Sequence, residues 1–243
     1  MSPAFYKTAG VMKPDLLPGS VVSLQPCQKQ LSFESAQLPV QCWLEHLACG
    51  RRLERFSGEH WEEILLIQGH LDCNQNVYGN IYFCLTPGQP APPFCAGNAG
   101  AALLRMFFGS APGNANGAAT HSKRPVEVVD FAMLAWNEIP ARRPNDPGAL
   151  IAELSTNTPR TRIASLMGCR PGWRLDDHDH PSDVLTFCIR GGGILGIGDD
   201  TTTYEARHLV TIPAGMPHRF QTGNGGALLA VFVFEPFLHM NSV

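Results

Sequence analysis

Short apolar runs separated by glycine, proline and asparagine recur along most of this chain. Runs of this length between turn residues are typical of strands in β-barrels and β-sandwiches. In the first half, the pattern predicts strands at residues 40–48, 64–67, 80–85 and 101–108. In the second half, it predicts strands at residues 150–154, 161–167, 184–189 and 228–234, whereas residues 128–136 fit either a strand or a short helix. The chain is therefore predicted to be all-β.

The two series of strands are separated by a stretch that reads GSAPGNANGAATHSKR. Small polar residues rich in glycine bury little surface, so this stretch is interpreted as a linker or a mobile loop. The first 20 residues contain Pro3, Pro14 and Pro18 without a clear period, which indicates an arm or an edge strand. We therefore divide the chain into an N-terminal arm (1–20), a first barrel (21–108), a linker (109–125) and a second barrel (126–243).

Composition narrows the class of protein. The 243 residues carry a net charge of −3, which gives no reason to expect binding to nucleic acid or to an anionic membrane. No apolar run reaches the roughly 18 residues of a membrane span, and the N-terminus does not resemble a signal peptide. Eight cysteines without CxxC pairs are expected to be reduced, mostly buried thiols. We expect a cytoplasmic protein whose partner is a small-molecule substrate.

Three histidines form the strongest chemical signal. His178 and His180 are two residues apart, so in an extended strand both side chains point to the same face. His218 follows the turn-forming run Pro213-Ala-Gly-Met-Pro217, and a hairpin return would carry it back to the first pair. A single histidine at a strand end is usually an ordinary surface residue. Three neutral imidazoles with an open coordination position suit a catalytic divalent metal ion.

The spacing of these residues resembles the two motifs of the cupins, which are small antiparallel β-barrels of the double-stranded β-helix (jelly-roll) type. Those motifs read G-x5-H-x-H-x3-4-E-x6-G and G-x5-P-x-G-x2-H-x3-N. The matching residues in this chain are Gly172, His178, His180, Gly191, Pro213, Gly215 and His218. The chain departs from the motifs at the glutamate, the second leading glycine and the closing asparagine, which are Val184, Arg207 and Thr222. The resemblance implies a metal ion bound by His178, His180 and His218.

The first half resembles a second, degenerate copy of the same barrel. The stretch SGEHWEEILLIQG, around Glu62, is similar to the cupin segment of ChrR-like anti-sigma factors, so the whole chain resembles a bicupin. With Glu62 aligned on the motif glutamate, the paired histidines would fall on Phe56 and Gly58, and the third on Ala91. The first barrel is therefore predicted to have lost its metal, with His60 and Glu62 left as a weak pair of ligands.

Two further residues near the histidines are predicted to be catalytic. If the strand at residues 184–189 begins one residue early, the Asp183 carboxylate becomes a fourth ligand; otherwise it accepts a hydrogen bond near the ligands or acts as a base. Arg174 is a candidate to bind a carboxylate or enolate bidentately, although a surface position is the ordinary alternative. Arg219 follows His218 directly, so strand alternation points it away from the metal. Tyr204 is expected to be exposed.

The resemblance to the cupins also implies an activity. Three-histidine cupins of the acetylacetone dioxygenase type are non-haem Fe(II) enzymes that cleave C–C bonds in β-diketones and acylphenols. The resemblance implies a metal-dependent oxidoreductase of the dioxygenase type that acts on a small ketone, phenol or organic acid. One divalent ion per chain is expected, with Fe(II) favoured over Zn, Mn or Ni. A ChrR-like ligand- or stress-sensing regulatory cupin and a metal-dependent isomerase or lyase are the alternatives. Because cupins commonly pair through edge strands, a homodimer is expected.

Overall fold

The computed structural model describes residues 6–8, 11–12, 21–23, 30–34, 39–55, 61–108, 126–140, 146–155 and 162–234. Within these ranges the chain forms 18 strands and one 3-10 turn, Phe131–Met133. The strands are β1 (Tyr6–Thr8), β2 (Val11–Met12), β3 (Val21–Ser23), β4 (Gln30–Glu34), β5 (Pro39–Leu47), β6 (Trp61–Cys73), β7 (Asn76–Tyr78), β8 (Ile81–Leu85), β9 (Cys95–Phe108), β10 (Val128–Asp130), β11 (Asn137–Ile139), β12 (Ala149–Ser155), β13 (Arg162–Cys169), β14 (Arg174–His178), β15 (Val184–Ile197), β16 (Asp200–Glu205), β17 (His208–Ile212) and β18 (His218–Phe234). In the described ranges, no helix has the length and apolar character needed to cross a membrane.

The strands form two nine-stranded sheets, and the prediction of an all-β protein is confirmed. The first sheet has the order β10-β8-β6-β9-β5-β4-β1-β2, with β7 paired to β6. The second has the order β11-β12-β13-β18-β15-β17-β3, with β14 paired to β18 and β16 to β15. Neighbouring strands run antiparallel, as expected for hairpin-connected barrels.

The central ladders of the two sheets repeat the same construction. The β6–β9 and β15–β18 ladders each shift register just before a glycine, Gly69 in β6 and Gly191 in β15. Both glycines have a φ of 81°. A Cβ atom at Gly69 would lie 2.2 Å from the carbonyl oxygen of Gly100, and one at Gly191 would lie 2.0 Å from that of Gly226. Only glycine fits this bulge, which lets each long strand bend around its barrel.

Each half of the chain also supplies a strand to the sheet of the other half. In the second sheet, β3 pairs with β17, although it lies within the predicted first barrel. In the first sheet, β10 pairs with β8, although it follows the predicted linker. Residues 128–136 thus begin as a strand, and the Asp130 carboxylate then caps the 3-10 turn by accepting a bond of 2.9 Å from the Ala132 amide. Residues 109–125 lie outside the described ranges, and the predicted limits remain a prediction.

Alternation along β15 divides its side chains between two cores. Val184 and Cys188 face the interior of the second barrel, in a cluster that includes Trp173, Leu195, Tyr204 and Phe220. Leu185 and Phe187 face the other way and join a cluster with residues of the first sheet, namely Leu65, Tyr82, Leu104 and Met106. The two barrels therefore pack against each other through one shared apolar core.

We expect the substitution Phe187→Ala to destabilise both barrels. The ring is 0% exposed in the shared core, and removing a buried aromatic side chain costs about 3–5 kcal/mol. Urea unfolding should show a lower midpoint in a single transition. The control, Val77→Ala, changes a side chain that is 69% exposed and should leave the midpoint almost unchanged. Two separate transitions, of which only one shifts, would contradict a shared core.

Candidate metal centre

The three predicted histidines meet at one end of the second barrel. His178 ends β14 and lies directly opposite His218, which begins β18, while His180 follows in the loop. Their ring centroids are 4.1 Å apart for His178 and His218, 4.9 Å for His178 and His180, and 5.2 Å for His180 and His218. One ring nitrogen from each lies within 4.8 Å of the other two. This group is compact enough for one divalent ion to reach all three nitrogens after small ring rotations.

Backbone hydrogen bonds set the tautomer of two of the rings. His178 Nδ1 lies 2.8 Å from the Asp176 carbonyl oxygen, and His218 Nδ1 lies 2.9 Å from the Met216 carbonyl oxygen. A carbonyl oxygen only accepts hydrogen bonds, so each Nδ1 carries the proton and donates it. The lone pair is then left on Nε2, which is the arrangement that a metal-binding histidine needs.

Burial favours the neutral form of His180 and His218. His218 is 1% exposed, and burial lowers its pKa to about 4. The hydrogen bond to Met216 opposes this pKa shift, and the neighbouring His178 and His180 add to it. Burial, followed by the charge of His178, also lowers the pKa of His180. Neutral imidazoles are the form that binds metal, so these two ligands need not lose a proton near pH 7.

The structure does not bring Asp183 into the histidine group. Strand β15 begins at Val184, and Asp183 lies just before it, buried, with Oδ1 accepting a bond of 2.7 Å from the Ala214 amide. The turn that contains Ala214 makes a second hydrogen bond to this loop, because the Gly215 amide donates to the His180 carbonyl oxygen at 2.7 Å. Asp183 thus ties the loop that carries His180 to the turn that precedes His218. Sequence reasoning did not identify these backbone contacts, for which the motif carries no signal.

Arg174 lies on the opposite face of the barrel wall from the histidines. It is exposed and pairs with Gln221 across the β14–β18 ladder, so both side chains point to the same side. Along β18, His218 and Phe220 are buried, whereas Arg219 and Gln221 alternate with them on the outer face. The predicted catalytic role of Arg174 therefore has no geometric support, and the outward direction predicted for Arg219 agrees with the structure.

The prediction that Tyr204 is exposed is wrong. Its side chain is 2% exposed, because it packs into the apolar core of the second barrel. The Tyr204 ring packs edge-on against Phe220, with centroids 5.6 Å apart, and Phe220 in turn lies edge-on to His218 at 5.8 Å. These rings form an apolar wall beside the histidine group.

In the first barrel, Glu62 is held by a buried arginine. Arg105 Nε donates to Glu62 Oε1 at 2.7 Å, and its Nη2 donates to the same oxygen and to the Glu54 carbonyl at 2.8 Å. Arg105 Nη1 also pairs with Glu45. Arg105 thus neutralises the carboxylate at the position of the motif glutamate.

The other predicted ligand positions of the first barrel carry no metal group that can be described. Phe56, Gly58 and His60 lie outside the described residues. Ala91 is partly buried against the apolar core of this barrel. The loss of metal from this barrel remains a prediction.

Comparison with known proteins identifies the fold. Residues 165–234 match the family model described as the cupin domain. An oxalate decarboxylase from Lactobacillus farciminis superposes with a TM-score of 0.61 at 14% identity, covering 92% of this chain and 88% of that one. A proposed dioxygenase from Nostoc punctiforme gives a TM-score of 0.62 at 14% identity, covering 98% and 90%. The chain has the bicupin fold.

Curated relatives of this bicupin include acireductone dioxygenases. The protein from Citrobacter koseri is 34% identical over 65 residues, which cover 25% of this chain and 36% of the relative. That from Pseudomonas syringae pv. tomato is 26% identical over 157 residues, covering 54% of this chain and 86% of the relative. In several of these matches the bicupin thus spans only about a third of the relative's length.

We expect metal-free bicupin to lose stability as the pH falls from about 6.5 to about 4. Burial lowers the pKa of His218 to about 4 in the folded state from the 6.5 of an unperturbed histidine, so the unfolded chain binds the proton first. The contribution of His218 to the free energy of unfolding is therefore complete above about pH 6.5 and is lost as the pH falls to about 4. Urea midpoints should show the decline, and the imidazole NMR signal of His218 should titrate near pH 4. A His218 signal that titrates near pH 6.5 would contradict this expectation.

We expect Arg105→Met to destabilise the first barrel by about 3–5 kcal/mol, because it deprives buried Glu62 of its closest cation. Metal content should not change, since Arg105 lies in the other barrel. The double variant Glu62→Leu/Arg105→Met removes both charges and should recover part of the loss in urea unfolding. A single variant as stable as the wild type would show that the pair contributes nothing.

Proposed function

We propose that this bicupin is a metal-dependent dioxygenase whose ion is bound by His178, His180 and His218 in the second barrel. The observation that carries the proposal is the meeting of three histidine nitrogens within 4.8 Å, with two of the rings oriented by backbone carbonyls. Imidazole donors without a carboxylate suit Fe, Mn, Ni and Zn, and Fe(II) is favoured for chemistry with O2. The names of the curated relatives support the same reaction class.

Bound at this site, a divalent ion supplies Lewis acidity, a template and redox chemistry with O2. The residues of the chain decide which substrates it accepts. Three neutral imidazoles add no negative charge, so an anionic oxygen donor such as an enolate is attracted to the site. Val184, at the position of the motif glutamate, is buried among apolar residues and adds no competing carboxylate. Phe220 and Tyr204 exclude water from one side.

The substrate class that fits these properties is a small enolisable ketone, a phenol or an organic acid. Each offers one or two oxygen donors that become anionic when they lose a proton near a divalent ion. Acireductone is the first compound to test, because it is the substrate named in the curated relatives. β-Diketones and acylphenols, which have the same pair of oxygen donors, come next.

We expect protein purified without chelator or affinity tag to carry about one Fe or Mn ion per chain. The double variant His178→Ala/His180→Ala should lose the ion and all substrate-dependent oxygen uptake. His208→Ala is the matched control, because this histidine pairs with Glu205 at 3.6 Å and is not part of the group. Metal content is measured by mass spectrometry and O2 uptake with an electrode.

Other outcomes separate the alternatives. Stoichiometric Zn or Ni with turnover under nitrogen would replace the dioxygenase by a lyase or an isomerase. Metal or ligand binding without turnover would favour a ligand- or stress-sensing module of the ChrR type. No metal in wild-type protein, even after reconstitution, would overturn the proposal. The homodimer and the cytoplasmic location remain predictions.

A further inference from the structure

A groove of about 470 Å³ lies on the outer face of the second barrel. Its polar and apolar lining includes Arg174, Asp177, Ile194, Gly196, Arg219 and Gln221. Arg174, Gln221 and Ile194 form one row across β14, β18 and β15, and Arg219 and Gly196 pair in the next row. His218 and Phe220 alternate with these residues along β18 and are buried. The groove and the histidine group therefore occupy opposite faces of one barrel wall.

One side of the groove is a fixed guanidinium. Arg219 Nη1 donates to the Gly198 carbonyl oxygen at 3.0 Å and pairs with Asp177 Oδ1 at 3.3 Å. The side chain lies flat on Gly196, where an added Cβ would be 2.5 Å from Arg219 Nε. The position of this cation thus depends on a glycine beneath it, and Asp177 balances its charge.

The other side of the groove is the guanidinium of Arg174. In the part of the chain that the structure describes, the side chain of Arg174 makes no hydrogen bond or ion pair. Asp176 also lines the groove but has a partner of its own. Ile194 lies in the same row as Arg174, beyond Gln221, and is 44% exposed despite its large apolar side chain. The groove therefore combines a guanidinium whose donors are not engaged with an apolar side chain, and its two arginines and two aspartates carry no net charge.

We propose that this groove binds a small organic monocarboxylate, with the carboxylate on Arg174 and the apolar body on Ile194. A guanidinium fork binds a carboxylate through two parallel hydrogen bonds, and Gln221 offers a further amide donor in the same row. Asp176 and Asp177 also line the groove, so a monoanion bound to Arg174 meets less repulsion from their carboxylates than a phosphate dianion would. This site is separate from the proposed metal centre and does not depend on it.

The test uses 4-fluorobenzoate as the probe and the purified full-length protein. Binding is followed by the fluorine signal of the probe and by the methyl signal of Ile194. We expect a saturable shift of Ile194 in wild-type protein, and binding at least roughly tenfold weaker in Arg174→Gln. Arg190→Gln is the matched control, because this exposed arginine does not line the groove, and it should bind like the wild type. The uncharged analogue 4-fluorobenzyl alcohol should bind much more weakly.

A second variant tests the geometry independently of the charge on Arg174. Gly196→Ala keeps every charged group but adds a methyl group to the groove lining and displaces the Arg219 side chain, so the altered shape should weaken binding while the unfolding midpoint stays close to that of the wild type. The His178→Ala/His180→Ala variant should bind the probe normally. Loss of binding in that variant, with full binding in Arg174→Gln, would overturn the proposal in favour of the metal centre. A stronger Ile194 shift with inorganic phosphate, or no shift with either anion, would also overturn it.

Discussion

The antiparallel pairing of β15 with β18 is the constraint on which the rest of the structure depends. Each strand packs against neighbouring residues on both of its faces, because successive side chains point to opposite sides. Ala230 and Phe232 of β18 pack into the core shared by the barrels, whereas Leu229 packs into the second barrel. A shift of one residue would exchange these faces and bury Arg219 in place of His218. At the bulge around Gly191 both strands bend, and their register shifts on each side of this glycine.

The histidine group depends on hydrogen bonds of the backbone as much as on its side chains. Two rings donate to carbonyl oxygens two residues earlier, so the chain that supplies each ligand also orients it. Asp183 and His180 then tie the neighbouring loop to the turn before His218. Asp183 is occupied by this role and does not substitute for the absent glutamate. The result is a group of neutral donors, in which the charge of a bound ion remains available to an anionic substrate.

The two barrels share the same central ladder but differ in the residue at the position of the motif glutamate. The first places a buried carboxylate, Glu62, where the motif has its glutamate and balances it with Arg105. The second has an apolar Val184 at that position, with neutral histidines at the barrel end. Strands β3 and β10 each pair with the sheet of the other half, and a common apolar core lies between the sheets. The halves therefore depend on each other for stability.

The sequence by itself determined eight of the strands, the repeat and the three histidines, because these follow from local rules: alternation with period two, turn residues and the spacing of the motif. Strand alternation also placed Arg219 outside. Only the tertiary structure decided that Tyr204 is buried, that Arg174 faces away from the histidines, and that Asp183 anchors a turn. Each of these depends on which strand lies opposite which and in what register. That pairing joins residues far apart in the chain, so no local pattern contains it.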